Sequence, residues 1–228
     1  MLELRPFHQL GTFENEWLDA HYHFSFADYF DPARMGLGTL RVWNDDLIRP
    51  HTGFPPHGHR DMEIVTYVRE GAITHEDSLG NRGRTEAGQV QVMSAGTGIR
   101  HAEFNNEDIP CRLFQIWILP RAQGLQPRWE TKPFPRRHGT LEILASGQPE
   151  DGAATINQNC RVLGATLDKG DRVRHSLGGR KAYLVPARGD LIVNGQPVGH
   201  RSGLVAMEED ALEIEAVSDA ELVLVDIA

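Results

Sequence analysis

Two short polar clusters at strand spacing constrain the fold of this chain more than any other feature. His57 and His59 form the first cluster, and His101 and Glu103 form the second. Residues i and i+2 of a β-strand point to the same face, so each cluster presents both of its side chains on one side. If the two strands are neighbours in a barrel, three imidazoles and one carboxylate converge on one interior point. This set of donor groups suits Fe, Mn, Co, Ni, Cu or Zn.

The other histidines show how specific this signal is. The chain has 11 histidines, so a single His-x-His pair arises easily by chance. His21 and His23 have the same spacing but lie among aromatic residues, and we interpret them as ordinary strand or core residues. A second cluster with matching spacing makes a shared metal site the better interpretation of the first.

Short β-branched and aromatic runs alternate with glycine-bearing turns through most of the chain, as at 64–68, 89–93 and 114–119. Even spacing of this kind predicts a β-barrel or a jelly roll. Residues 40–43 also alternate as a strand does. We expect a solvated turn that contains Asp45 and Asp46 to end that strand.

The second half of the chain repeats this order, with Gly189 at the position of Gly71. Asn194 and Gly195 predict a hairpin turn within the repeat. We therefore predict an internal duplication and an all-β chain with two barrels. The predicted bounds are 1–120 for the first barrel, 121–150 for a proline- and arginine-rich connector, and 151–228 for the second barrel.

The second barrel lacks the ligand clusters of the first. On the register of the duplication, His175 falls near the position of His57, but no second histidine follows it. Ala216 and Ser218 stand where His101 and Glu103 would map. We expect the second barrel to hold no metal, so that each chain holds one.

The sequences of three segments resemble those of the pirins, a family of the cupin superfamily. These segments are His-Gly-His-Arg-Asp-Met-Glu at 57–63, Met-Ser-Ala-Gly-Thr-Gly-Ile-Arg-His-Ala-Glu at 93–103, and Phe-Gln-Ile-Trp-Ile at 114–118. The chain is most similar to the bacterial pirin-like quercetin 2,3-dioxygenases. The resemblance covers nearly the whole chain and implies a bicupin, with two cupin jelly-roll barrels in one chain.

The resemblance also implies the metal ligands, which in pirins correspond to His57, His59, His101 and Glu103. In many other cupins the carboxylate ligand corresponds to Glu63 instead, and strand parity alone allows it. The His-Ala-Glu motif at 101–103 favours Glu103 as the ligand, and we interpret Glu63 as a residue that supports the site. Four protein ligands leave one or two positions open on a five- or six-coordinate metal. We expect Fe(II), with Cu, Mn, Co, Ni or Zn as alternatives.

The implied activity is oxygen-dependent cleavage of a flavonol such as quercetin, with release of carbon monoxide. Glu103 is the candidate base that accepts the proton of the flavonol 3-hydroxyl group. The same resemblance carries a second hypothesis, in which the protein is a metal- or redox-responsive regulator that binds a transcription factor or a metabolic enzyme. Ligand identity does not separate the two hypotheses.

Further residues are candidates for roles around the site. Imidazole ligands need partners that fix their tautomers, and the candidates for that role are Glu63, His75, Gln91 and Gln115. The candidates for lining a substrate pocket are Phe54, Met62, Met93 and Phe104, for which a barrel-core role is the simpler interpretation.

Composition limits the partners and the compartment. The formal net charge of −9 provides no electrostatic footprint for nucleic acid or an anionic membrane. We expect no signal peptide, because the N-terminus lacks a basic and then apolar segment. Cys111 and Cys160 suggest no disulfide framework. We therefore expect a cytoplasmic monomer that binds a small molecule and O2, with a protein partner under the second hypothesis.

Overall fold

The computed structural model describes residues 1–134 and 137–228. Pro135 and Arg136, which belong to the predicted connector, lie outside the described residues. The strands up to the connector are β1 (Leu2–Arg5), β2 (Gly11–Glu14), β3 (Leu18–Tyr22), β4 (Leu40–Ile48), β5 (Thr52–His59), β6 (Glu63–Glu70), β7 (Ala72–Asp77), β8 (Arg82–Glu86), β9 (Gln89–Ser94), β10 (Ile99–Asn105) and β11 (Cys111–Ile118).

The later strands are β12 (Arg128–Pro133), β13 (Glu142–Ser146), β14 (Ala154–Thr155), β15 (Cys160–Leu167), β16 (Arg172–Ser176), β17 (Lys181–Arg188), β18 (Leu191–Val193), β19 (Gln196–Val198), β20 (Gly203–Ala206), β21 (Ala211–Ala216) and β22 (Ala220–Ile227). Short 3-10 helices lie at Phe7–Gln9, Pro32–Arg34 and Pro149–Asp151. Within the described residues, no helix has the length and apolar character needed to cross a membrane.

An N-terminal unit comprises Gly11–Phe134 and Gly152–Gln158. Its two antiparallel sheets have the strand orders β12-β9-β6-β11-β4-β3-β2 and β5-β10-β7-β8. Ile73 of the smaller sheet packs in one buried cluster with Val68 and Leu113 of the larger sheet. The two sheets therefore enclose a shared core, as in a jelly roll. Strand β12 lies within the predicted connector and pairs with β9 at one edge of the larger sheet.

A row of polar side chains crosses the inner face of the larger sheet. Asn44 lies opposite Gln115, Gln115 lies opposite Thr66, and Thr66 lies opposite Gln91. Directly opposite residues in antiparallel strands share a face and approach closely. We call these four residues the polar row. Because they occupy the same level on neighbouring strands, they bring hydrogen-bonding groups to one height in the interior of this unit.

A C-terminal unit comprises Met1–Leu10, Pro135–Asp151 and Asn159–Ala228. One of its sheets contains the order β1-β20-β17-β22-β15-β13, and the other has the order β16-β21-β18-β19. The two sheets enclose a buried aliphatic core. Asn194 and Gly195 both have positive φ, 48° and 82°, and link β18 to β19 as the predicted hairpin turn.

Gly71 and Gly189 show the duplication directly. Each follows a long central strand, and each has a φ of 70°. A Cβ atom would lie 2.6 Å from the Pro110 carbonyl oxygen at Gly71 and 2.3 Å from the Asp219 carbonyl oxygen at Gly189. Only glycine fits both the backbone conformation and the close approach. The predicted all-β fold with two jelly rolls is confirmed, whereas the predicted bounds at 120 and 151 stay a prediction.

Candidate metal centre

The two predicted clusters lie on neighbouring strands of the smaller sheet. His101 of β10 lies directly opposite His57 of β5, and Ile99 lies opposite His59. The register shifts between His101 and Glu103, so that Glu103 pairs with Phe54. Such a shift is the mark of a β-bulge, which re-aims side chains locally. The sequence left the adjacency of these two strands as a condition, and the structure meets it.

Three imidazole rings converge inside the N-terminal unit. The ring centres of His57 and His101 are 4.5 Å apart, those of His57 and His59 are 4.8 Å apart, and those of His59 and His101 are 5.0 Å apart. The Nε2 atoms of His57 and His101 are 3.1 Å apart. Two nitrogens that share one ion at about 2.0–2.1 Å are roughly 2.8–3.4 Å apart for bond angles between 90° and tetrahedral. The observed spacing therefore fits two ligands of one ion.

The protonation of these rings also suits a metal. His57 Nδ1 lies 2.8 Å from the Pro55 carbonyl oxygen, which only accepts, so Nδ1 donates this hydrogen bond and Nε2 is the nitrogen that a neutral ring offers to a metal. Burial first, and then the neighbouring imidazoles, lower the pKa of His59 to about 4 and that of His101 to about 3. Neutral imidazole is the form that binds metals.

A hydrogen-bonded chain behind His101 fixes which of its nitrogens faces the other two rings. His75 Nε2 donates to Asp77 Oδ2 across 3.0 Å, which makes Nδ1 the acceptor in a neutral His75 ring. His101 Nδ1 lies 3.3 Å from that acceptor and donates to it. The lone pair of His101 is therefore on Nε2, which faces His57. The side chains of His75 and Asp77 are inaccessible to solvent, so no water competes for these bonds.

Glu103 is buried and held by two amides. Gln91 Nε2 donates to Glu103 Oε1 at 2.6 Å, and Gln115 Nε2 donates to Glu103 Oε2 at 2.9 Å. Trp117 Nε1, which is a donor only, donates to Gln115 Oε1 at 3.1 Å and so fixes the orientation of that amide. The sequence-based candidates His75, Gln91 and Gln115 thus contact either His101 or Glu103.

Glu63, the alternative carboxylate ligand, has different partners from Glu103. Its Oε2 accepts a hydrogen bond of 2.6 Å from Ser94, and its Oε1 accepts one of 3.1 Å from Asn157. Glu63 is three residues from Thr66 on the same strand and therefore points to the opposite face of the sheet from the polar row. Strand parity relative to His59 did not reveal this, because the two residues lie on different sheets.

The potential ligand atoms form two overlapping groups. One nitrogen each from His57, His59 and His101 lie within 4.8 Å of one another, and His101 also forms such a group with His75 and Glu103. Glu103 lines the same cavity as His57 and His59. The structure therefore brings the three predicted histidines together and places Glu103 beside them.

A cavity of about 270 Å³ opens next to these groups. Its aromatic walls are Tyr22, Phe26, Phe54 and Trp117. Phe54 was a predicted pocket residue. By contrast, Met93 packs in a buried apolar cluster with Ile64 and Ile99, and Met62 packs against that cluster.

The expected solvated turn at Asp45 and Asp46 is wrong. Strand β4 continues through both residues to Ile48, and both side chains are buried. The strand pairs with β3 on one side and β11 on the other, which satisfies its backbone and outweighs the low strand propensity of aspartate. Asp45 forms an ion pair with Arg69, whereas Asp46 lines the cavity. Burial, followed by the charges of Asp45 and Glu103, raises the pKa of Asp46 well above its usual range.

His175 of the C-terminal unit, which the sequence places near the position of His57, contacts an aspartate and no second histidine among the described residues. His175 lies opposite Leu212, and its Nε2 lies 2.8 Å from Asp226 Oδ2. Arg180 also forms an ion pair with Asp226. Although burial by itself raises the pKa of Asp226, the hydrogen bonds from His175 and Arg180 lower it overall.

Two jelly rolls, one of which encloses clustered imidazoles and a carboxylate, define a bicupin with a group of residues suited to a divalent metal. Residues 3–118 match the Pirin family model, and residues 143–227 match the model of the quercetinase C-terminal cupin domain. The chain belongs to the pirin family.

Similar proteins cover the whole chain. The pirin-like protein of Caulobacter vibrioides is 55% identical over 100% of both chains. The quercetin 2,3-dioxygenase of Escherichia coli strain K12 is 39% identical over 100% of this chain and 99% of its own. The crystal structure of the bacterial pirin YhhW from E. coli in complex with nickel(II) matches with a TM-score of 0.95 and 38% identity, over 100% of this chain and 99% of that one.

Proposed function

We propose that this protein is a metal-dependent dioxygenase that cleaves flavonols such as quercetin with O2 and releases carbon monoxide. The observation that carries the proposal is the aromatic-walled cavity whose surface includes His57, His59 and Glu103. Imidazole and carboxylate groups suit a divalent transition metal, and aromatic walls suit planar aromatic rings. The name of the E. coli relative, quercetin 2,3-dioxygenase, supports the same activity.

The proposed ligands are His57, His59, His101 and Glu103. Each histidine is buried or half-buried, and the Nε2 atoms of His57 and His101 face each other. Glu103 accepts one amide hydrogen bond on each oxygen, which leaves lone pairs for a metal because a carboxylate has about four. The set contains no cysteine, unlike most closed structural zinc sites. We propose Fe(II) as the metal, with one ion per chain.

The chain's own residues would then prepare the substrate. A bound divalent metal supplies Lewis acidity, which lowers the pKa of a substrate hydroxyl group. A lone pair of Glu103 can accept the proton that this hydroxyl group gives up if the carboxylate leaves or loosens its bond to the metal. Gln91 and Gln115 keep the carboxylate oriented during the transfer. The aromatic side chains of Phe26, Phe54 and Trp117 hold the substrate rings and keep bulk water away.

The decisive experiment measures carbon monoxide. Protein loaded anaerobically with one equivalent of iron(II) is mixed with quercetin and oxygen, and the carbon monoxide is quantified. Oxygen uptake alone is insufficient, because loose iron also promotes autoxidation of quercetin. The controls are His101→Ala, with its fold checked by circular dichroism, and free iron at the same concentration. If the wild-type protein yields no more carbon monoxide than His101→Ala, the dioxygenase proposal fails and the regulatory hypothesis leads.

Metal content tests the ligand proposal separately. Elemental analysis after saturation should find about one equivalent of metal per chain, as expected for one set of protein ligands. His57→Ala, His59→Ala and His101→Ala should each lower the metal affinity by at least ~10–100-fold, the loss that is typical when even a supporting residue is removed. His21→Ala, outside this group, should retain the metal. Equal affinity in all four variants contradicts the ligand assignment, and two tightly bound equivalents contradict a single site.

A further inference from the structure

Two buried polar side chains that line the cavity each have an oxygen without a hydrogen-bond partner among the described residues. Asn44 and Asp46 are 3% and 2% exposed, and both line the cavity. Among the described residues, neither Asn44 Oδ1 nor Asp46 Oδ1 has a hydrogen-bond partner. Buried polar atoms are nearly always hydrogen-bonded, so two such oxygens in one cavity require an explanation.

Their position on the strand explains why both face the same space. Asn44 and Asp46 are two residues apart on β4, so they point to the same face of the sheet. Asn44 lies opposite Gln115 and Tyr22 on the two neighbouring strands, and Asp46 lies opposite Ala20 and Leu113. Among these neighbours, Gln115 already uses its amide between Trp117 and Glu103.

We infer that Asn44 and Asp46 form a recognition site for the ring hydroxyl groups of a polyhydroxylated aromatic substrate, apart from the hydroxyl group that meets the metal. An amide oxygen accepts hydrogen bonds, and a carboxyl group accepts them whether ionised or not. The neighbouring walls, Tyr22 and Phe26, are aromatic, which favours an aromatic ring as the carrier of those hydroxyl groups. This inference rests on the proposed function and specifies its substrate class.

Asn44 and Asp46 would distinguish a hydroxylated ring from a bare one. Both oxygens are buried, so a ligand that fills the cavity either supplies hydrogen bonds to these side chains or leaves their polar atoms unsatisfied. A ligand ring with hydroxyl groups supplies these bonds, whereas a bare ring leaves the oxygens buried and unsatisfied. Sites built to bind a substrate hydroxyl therefore reject the analogue that lacks it. Asn44 and Asp46 would thus determine specificity and need not take part in the chemistry.

The test compares two flavonols that share the 3-hydroxyl group. Quercetin carries four further hydroxyl groups, and 3-hydroxyflavone carries none. Both are titrated anaerobically into iron(II)-loaded wild-type protein and into Asn44→Leu and Asp46→Leu, which replace the polar groups with apolar ones of similar size. We expect the wild-type protein to bind quercetin roughly 10- to 100-fold more tightly than 3-hydroxyflavone. Each leucine variant should lose most of that preference and bind 3-hydroxyflavone about as well as the wild-type protein.

Asp46→Asn controls for folding, because it keeps an acceptor oxygen at the same place and should retain most of the preference. Unchanged metal content in every variant shows that the metal site is intact. If the wild-type protein has no preference for quercetin, or if both leucine variants keep it, the inference is overturned. Because binding is measured without oxygen, this result is independent of carbon monoxide release. A preference without turnover refutes only the dioxygenase proposal, and turnover without a preference refutes only the recognition site.

Discussion

Gln115 donates a hydrogen bond of 2.9 Å from Nε2 to Glu103 Oε2, and the two residues come from the two facing sheets of the N-terminal unit. Trp117 donates to the other end of the same amide and fixes its orientation. The proposed ligand Glu103 therefore has a position that is defined by hydrogen bonds within the protein. Preorganised ligands bind more tightly, because less ordering is needed on binding.

Replacement of this donor should weaken the metal site. Gln115→Leu leaves Glu103 Oε2 without its amide partner, and we expect metal affinity to fall by ~10–100-fold. A competition titration against a chromophoric chelator measures it. Gln196→Leu, a glutamine of the C-terminal unit outside this network, is the matched control. Wild-type affinity in Gln115→Leu would show that this hydrogen bond does not position the carboxylate.

Substitution of Glu103 and of Glu63 tests which of the two glutamates is the carboxylate ligand. Glu103→Gln replaces the carboxyl group beside the three histidines with an amide that faces two amide donors, so metal affinity should fall sharply. Glu63→Gln changes a residue that hydrogen-bonds Ser94 and Asn157, so it should alter stability more than metal affinity. Isothermal titration with the same metal compares the two variants. The reverse order of effects would identify Glu63 as the ligand, as in many other cupins.

The hydrogen bonds from His101 through His75 to Asp77 predict that a substitution at His75 lowers metal affinity. His75→Phe keeps a ring that can stack on Trp129 but removes the acceptor for His101 Nδ1–H. We expect metal affinity to fall by ~10–100-fold. Nitrogen NMR of the histidine rings should show His101 losing its fixed tautomer. His138→Phe removes an exposed histidine paired with Asp168 and should change neither result. A fixed His101 tautomer in His75→Phe would contradict the proposed chain.

Asp226 should control acid stability. Its folded-state pKa is below the ordinary value of 3.8, so the carboxylate stabilises the fold above that pH and loses the contribution as pH falls through the folded-state pKa. Asp226→Asn weakens a partly buried ion pair and hydrogen bond, which should lower the free energy of unfolding by roughly 1–3 kcal/mol. Urea unfolding at neutral and acidic pH should show lower stability at neutral pH and a smaller loss on acidification. Asp168→Asn, which replaces an exposed carboxylate, is the control. If the stability of Asp226→Asn depends on pH as that of the wild-type protein does, the prediction is refuted.

Local periodicity predicted much of the fold. Alternation and turn residues identified β6, β9 and β11, and the glycines at 71 and 189 revealed the duplication. Both signals are local, because strand parity and positive φ are properties of a few consecutive residues. The same reasoning failed at Asp45 and Asp46, where two neighbouring strands hold a polar stretch in extended form.

The sequence by itself determined that His57 and His59 share one face, that His101 and Glu103 share another, and that the chain contains two repeats of one β architecture. Only the tertiary structure decided that these two faces meet, that Glu63 points away, and that Asn44 and Asp46 face the cavity. The physical reason is that parity defines a side within a strand. Which strands become neighbours depends on long-range pairing and on burial in a shared core, which no short stretch of sequence specifies.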